Sequence, residues 1–270
     1  MRVRARSRIA TRSSTPSPNT RCVSGNENAT EGRREASGVR ERSRLGMGGF
    51  AHVAIDGPAG SGKTTVAHAL ARDLGILYLD TGAMYRAVAL ATLHAQIDPN
   101  DGAAVAALAR AEPVRAEPDR TAEYGFRIFV GTREFGQELY ANDVSRVVSV
   151  VAAHAELRAI LVQRQRAIAA ERAVIMAGRD IGTIVLPDAP IKIFLTASVA
   201  ARVDRRFAEL AARGTTVDRA ALHAEIVARD DRDSTRATAP LVAATDAVEI
   251  DSTGLSVDEV VARIAALVRA

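Results

Sequence analysis

The chain of 270 residues has no tryptophan, a single cysteine and only two lysines, Lys63 and Lys192. One cysteine, Cys22, excludes an internal disulfide and any metal site built from several thiolates. Aromatic residues make up 4% of the sequence against 47% hydrophobic residues, so the core has to be aliphatic, built from Ala, Val, Leu and Ile. No apolar run reaches the roughly 18 residues of a membrane span, so no membrane contact is expected. The Arg-rich start lacks the apolar stretch of a secretory signal, and the expected location is the cytoplasm. Where arginine is abundant and lysine scarce, most arginines carry no functional message. A lysine kept at one particular place does.

The formal net charge of +4 is unevenly spread. Residues 1–46 hold eleven arginines and four acids, a local charge of +7, which leaves −3 for the remainder. That mildly acidic remainder offers no basic face, so no nucleic-acid partner is expected. Composition changes abruptly after Gly46. Residues 1–46 read as a disordered Arg-rich extension, or as sequence upstream of a start at Met47, with the working domain over 47–270. An Arg- and Ser-rich start is also the makeup of a transit peptide, which is the less favoured reading. Removing residues 1–46 should leave the thermal midpoint and the turnover unchanged. A fall of several degrees on truncation would show instead that the segment packs against the domain.

Beyond Gly46, apolar runs of strand length alternate with helical periodicity. Val53-Ala54-Ile55 reads as a buried strand, followed by a Gly-rich turn and a helix from about Thr64 to Leu74 that stops at Gly75. Ile76–Asp80 is a second strand, with a helix through Met84, Val88 and Leu90 after it. Ala173–Ala177 and Ile191–Leu195 are further strands. Ser198 caps a helix running to Gly214, another helix begins near Asp218, and Val248-Glu249-Ile250 is a last strand. Ser256-Val257-Asp258-Glu259 is a capping box that opens a final helix. Such alternation predicts an α/β fold, a parallel sheet flanked by helices on both faces. The stretch from about 113 to 142 breaks the rhythm with prolines, glycines and the run Phe126–Val130, and reads as a small β-rich insert. From Asp143 to Glu171 the pattern is helical again.

Gly57-Pro58-Ala59-Gly60-Ser61-Gly62-Lys63-Thr64, with Thr65 next in the chain, fits G-x-x-x-x-G-K-[ST] between a predicted strand and a predicted helix. Glycines let backbone N–H groups turn inward around a phosphate, and the helix N-terminus adds its partial positive charge. Lys63 supplies a mobile charge to the β/γ oxygens, and the Thr64 hydroxyl is a candidate Mg²⁺ ligand. This pattern is strong for binding ATP or a similar triphosphate and weak for the fate of its γ-phosphate. Three other segments lie at the same sheet edge: Asp80–Arg86, the pair Arg179-Asp180 after a strand, and Arg229-Asp230-Asp231-Arg232-Asp233-Ser234-Thr235-Arg236. A charge run is usually a solvated, salt-bridged helix face. Three arginine clusters at one edge instead suit two phosphate-bearing substrates.

At these residues the chain resembles the bacterial cytidylate kinase family, from about Ala51 to the C-terminus. The likeness rests on D-G-P-A-G-S-G-K-T-T, D-T-G-A-M-Y-R, G-R-D-I-G-T from Gly178 to Thr183, and R-D-D-R-D-S-T-R. It implies a P-loop nucleoside monophosphate kinase fold with a helical lid and an acceptor-binding insert, and Mg²⁺-dependent transfer from ATP to CMP or dCMP. By resemblance, Arg86 and Arg179 hold the acceptor phosphate, while Ser149, Arg158 and Asp180 read the base. Asp233 and Arg236 hold the pentose and acceptor end, and Arg202, Arg205 and Arg206 are lid arginines. With Lys63, the arginines Arg86, Arg179 and Arg236 form the expected catalytic set. No obligate protein partner is implied, and a monomer is expected. The chain departs from the family in the insert, where Phe129-Val130-Gly131-Thr132 and Leu139-Tyr140-Ala141 replace the usual Leu-Asn-Gly and Ile-Arg-Thr runs. The insert is therefore expected to close over its substrate differently. Other readings are the same transfer to UMP or dTMP, a P-loop GTPase switch, and nucleic-acid binding through residues 1–46. The switch would need N-K-x-D, and no Asn-Lys pair occurs.

Overall fold

The computed structural model describes residues 52–119, 122, 125–212 and 214–269. The expected extension over 1–46 lies outside the described residues. Five parallel strands form the main sheet: β1 (Val53–Asp56), β2 (Leu77–Asp80), β6 (Val174–Gly178), β7 (Ile191–Thr196) and β8 (Val248–Asp251), in the order β2-β6-β1-β7-β8. Central β1 sets Ile55 beside Ala177 on one side and Ile193 on the other.

Alternate residues of these strands serve opposite faces, as the pleat requires. Val53, Ile55, Ile175, Ala177, Ile193 and Leu195 pack with helix α1 (Lys63–Leu74) and the C-terminal helix α8 (Val257–Arg269) through Val66, Leu70, Val260 and Ile264. Ala54, Leu79, Val174 and Met176 face the other core, shared with α2 (Thr81–His94) and α5 (Ala155–Glu171) through Met84, Val88, Leu157 and Leu161. Both faces are thus covered by aliphatic side chains, the Val, Leu, Ile and Met among them each contributing about 1.5–3 kcal/mol when fully buried.

Local signals fix the ends of the elements. Gly75 closes α1 at φ 67°. Asp218 caps α7 (Arg219–Thr235) by accepting from the amides of Ala220 and Ala221. At the start of α8 the Ser256 amide donates to Glu259 Oε2 at 2.8 Å and the Glu259 amide donates to Ser256 Oγ at 3.3 Å, a reciprocal capping box.

A helix that the periodicity did not predict, α3 (Gly102–Ala111), precedes the insert. The insert is a three-stranded antiparallel sheet of β3 (Val114–Pro118), β4 (Phe126–Val130) and β5 (Arg133–Phe135), closed by a 3₁₀ turn over Gln137–Tyr140. The helical stretch after it divides into α4 (Asn142–Val151) and α5. Helix α6 (Val199–Ala212) packs on α7 through Val203, Leu210, Leu222 and Ile226, a small apolar cluster separate from both main cores. No helix among the described residues is long and apolar enough to cross a membrane.

Candidate active site

At the C-terminal end of β1 the chain turns through Gly57 at φ 148°, where a Cβ would come within 2.0 Å of the Leu195 carbonyl oxygen. Only glycine fits there. The turn ends at Gly62, φ 92°, which starts α1 without a side-chain cap and with no acid in the first helical turn. The first amides of α1 are therefore left for an external anion. Lys63 is buried and donates from Nζ to Pro58 O at 2.6 Å and to Ser61 Oγ at 3.5 Å, folded back over its own loop. Burial, reinforced by Arg179, holds its ammonium well below the usual lysine range. A bound polyphosphate would relieve that strain on the charge.

Two contacts staple the loop from outside. Arg202 is buried and donates to Ala59 O at 3.1 Å while gripping both carboxylate oxygens of Asp230 at 2.9 and 2.6 Å. Ser252 Oγ lies 3.0 Å from Ser61 O and takes a hydrogen bond from Arg205 at 3.1 Å. Arg206 pairs with Glu209 at 2.8 Å. Of the three arginines grouped with the lid, Arg202 is thus built into the wall of the phosphate loop, and Arg205 and Arg206 line the cavity beside it.

That cavity measures about 770 Å³. One wall is the loop from Ala59 to Thr65, with Gly57 and Pro58 shaping the turn behind it. The same cavity brings together Arg86, Ser149, Arg158, Arg179, Asp180, Asp233 and Arg236, the residues singled out by sequence. Arg86, in the first turns of α2, donates to Leu139 O at 3.2 Å and Ser145 Oγ at 3.0 Å, with its guanidinium 5.1 Å over the Tyr140 ring. Arg179 donates from Nε to Asp233 at 2.9 Å. Arg158 and Asp180 are both about 4% exposed and bond to each other through Nη2 and Oδ2. Arg158 also donates to Ala152 O at 3.1 Å and lies 5.3 Å over the Tyr85 ring. No hydrogen bond fixes Ser149 among those of the described residues, but it faces the same space.

The charge run on α7 divides by helical face. Asp233 is buried on Arg179, Asp230 holds Arg202, and Asp231 and Arg232 are exposed. Arg229, which sequence reasoning had not separated from the run, turns toward the cavity. Burial, with Arg179 and Arg86 close by, lowers its guanidinium to about 9. Among the described residues, Nε of Arg229 and Nη2 of Arg236 are buried without a hydrogen-bond partner. Donors shut away in this manner are costly unless a ligand meets them, and phosphate oxygens would.

Two acids complete the site. Asp80 caps α2 through Gly82 N at 2.9 Å, and its second oxygen lies 3.4 Å from Thr64 Oγ1 and 3.5 Å from the Tyr140 hydroxyl. A hydroxyl and one carboxylate beside a phosphate loop form a hard-oxygen donor set, which suits Mg²⁺ shared with substrate phosphates and water. Asp56, at the end of β1, was not singled out by sequence. It accepts from the amides of Ile181 at 2.8 Å and Gly182 at 2.7 Å. Burial pushes its carboxyl up to about 6, against the lowering pull of those two amides and Lys63.

A P-loop opening into a cavity that a second set of buried and half-buried arginine donors also lines defines a P-loop kinase. The family described as cytidylate kinase matches residues 53–270. Relatives named cytidylate kinase include that of Pelotomaculum thermopropionicum, 49% identical over 224 residues, which cover 83% of this chain and 98% of the relative. Another, from Exiguobacterium sibiricum, is 47% identical over 215 residues, covering 80% and 95%. This chain belongs to the cytidylate kinase family.

Proposed function

We propose that this chain is a cytoplasmic enzyme that transfers the γ-phosphoryl group of ATP to CMP, and also to dCMP, giving CDP or dCDP and ADP. One observation carries the reading: a single cavity is lined both by the phosphate loop and by the Arg158–Asp180 pair. Cytosine presents an exocyclic amine and a ring nitrogen acceptor side by side. A carboxylate accepts only, so Asp180 takes the amine, and a guanidinium donates only, so Arg158 serves N3 or O2. Uracil inverts both positions. Sites built on such pairing reject the mismatched analogue by up to roughly 10⁴–10⁵.

In this assignment Ala59–Thr65 cradle the ATP phosphates and Lys63 neutralises charge on the transferring group. Arg86, Arg179, Arg229 and Arg236 hold the acceptor phosphate in line with it. Asp233, through its bond to Arg179, joins the pentose side to the phosphate side, and Ser149 lies toward the base. Thr64 and Asp80 would hold Mg²⁺, which would supply positive charge beside the ATP phosphates. No general base is needed, because the acceptor phosphate is already anionic and the transfer runs on alignment and charge neutralisation. Coupled ADP release across CMP, dCMP, UMP, AMP and dTMP tests the reading. CMP and dCMP should give the highest kcat/KM, and equal rates with UMP would overturn it.

A further inference from the structure

The residue before the phosphate loop does something the loop itself does not require. Asp56 ends β1, and its carboxylate meets the turn after β6. Both oxygens are engaged there, Oδ1 by the Ile181 amide at 2.8 Å and Oδ2 by the Gly182 amide at 2.7 Å, all within the buried interior. The turn is tight: the amides of Ile184 and Val185 both donate back to Asp180 O at 2.9 and 3.1 Å, and that of Leu186 to Ile181 O at 2.7 Å. It leaves little slack, since a Cβ on Gly182 would lie 3.2 Å from Lys192 Cδ and 3.4 Å from Asp56 Oδ2. The two residues immediately before the clamped amides are Arg179 and Asp180, which face the acceptor side of the cavity. The staples of the phosphate loop, Arg202 on Ala59 O and Ser252 on Ser61 O, do not involve Asp56.

We propose that Asp56 is a positioning residue for acceptor recognition, its carboxylate clamping the Ile181 and Gly182 amides so that Arg179 and Asp180 are held at a fixed distance from the phosphate loop. The inference rests on the assignment of Arg179 and Asp180 to the acceptor. A carboxylate is needed because it accepts at both oxygens. An amide of the same shape accepts at one and sets a donor against the other N–H. The charged groups that act on the Asp56 carboxyl are Asp180, which raises it, and Lys63, which lowers it.

Asp56→Asn tests the clamp. Since burial already disfavours the charge of Asp56, a neutral amide there leaves the variant able to fold. The KM for CMP should rise at least about tenfold, the factor that accompanies loss of one hydrogen bond to a charged group. The CMP-to-UMP ratio of kcat/KM should fall by about the same factor. The dissociation constant of ATP, titrated without acceptor, should change far less than the KM for CMP, because on the ATP side only Lys63 feels the Asp56 charge. Gly182→Ala disturbs the same contact from the other side while keeping the carboxylate, and should give the same acceptor-selective pattern. Equal losses for CMP and UMP, or weakened ATP binding to the same degree, would overturn the positioning role. A parent enzyme without preference for CMP would instead overturn the assignment beneath it, and that is seen without any variant.

Discussion

Lys63→Ala should lower kcat with CMP by about 10²–10³, because it removes a charge that acts on the transferring oxygens in the transition state, a loss of about 3–4 kcal/mol. The fold should survive. In the free protein the Lys63 ammonium is buried and held well below its ordinary range, so the fold gains little from it. Its two protein contacts, with Pro58 O and Ser61 Oγ, only turn it back over the loop, and the loop keeps its outside staples from Arg202 and Ser252. The measurement is therefore steady-state kinetics beside a thermal midpoint. A near-parental kcat would overturn the role of the phosphate loop, and a collapsed midpoint would show that Lys63 is structural.

The phosphate loop was legible because its chemistry is written in consecutive residues. Gly57 has to be glycine since the Leu195 carbonyl occupies the space of a Cβ, and such constraints leave a local spelling. The same holds for the strands, whose apolar runs are what a sheet buried on both faces requires, and for the capping box at Ser256. Helix α3 was not read because Gly102–Ala111 is mostly alanine, where apolar and polar faces hardly differ. Its one marker is Asp101, whose side chain caps Ala104 N at 2.9 Å.

Site residues that depend on long-range contact were harder. Nothing beside Asp56 in the sequence points to the amides of Ile181 and Gly182, which lie more than a hundred residues away. Arg229 sat inside a run whose ordinary reading is a solvated face, and only the packing of α7 decides which of its charges turn inward. Tyr140 was visible as a departure from the family pattern, without a role. Placed against Arg86 and within 3.5 Å of Asp80, it occupies the junction between insert and phosphate cradle. At this place the chain thus supports Arg86 with a ring, which adds no positive charge to a cavity already crowded with guanidiniums.

Asp180→Asn should lower the preference for CMP over UMP by about tenfold or more, since each hydrogen bond to a charged group is worth about 1.5–3 kcal/mol. The substitution keeps one acceptor and adds a donor, so the amine of cytosine loses its charged partner while the carbonyl of uracil gains a neutral N–H donor. The structure adds a second consequence. Asp180 is the buried counter-ion of Arg158, and breaking a buried pair outright costs about 3–5 kcal/mol. Asparagine still offers an oxygen to Arg158, and Ala152 O and the Tyr85 ring remain, so the fall in thermal midpoint should be smaller than for Asp180→Ala. A purely structural part for Asp180 can then be separated from base reading. Were the carboxylate only an anchor for Arg158, a looser anchor would weaken CMP and UMP alike and leave their kcat/KM ratio unchanged. Arg179 does not confuse the comparison, because its Nε is held by Asp233. Measured for both acceptors on both proteins well below the lower midpoint, an unchanged ratio refutes base reading by Asp180. A ratio that falls while ATP binding holds assigns the discrimination to this carboxylate.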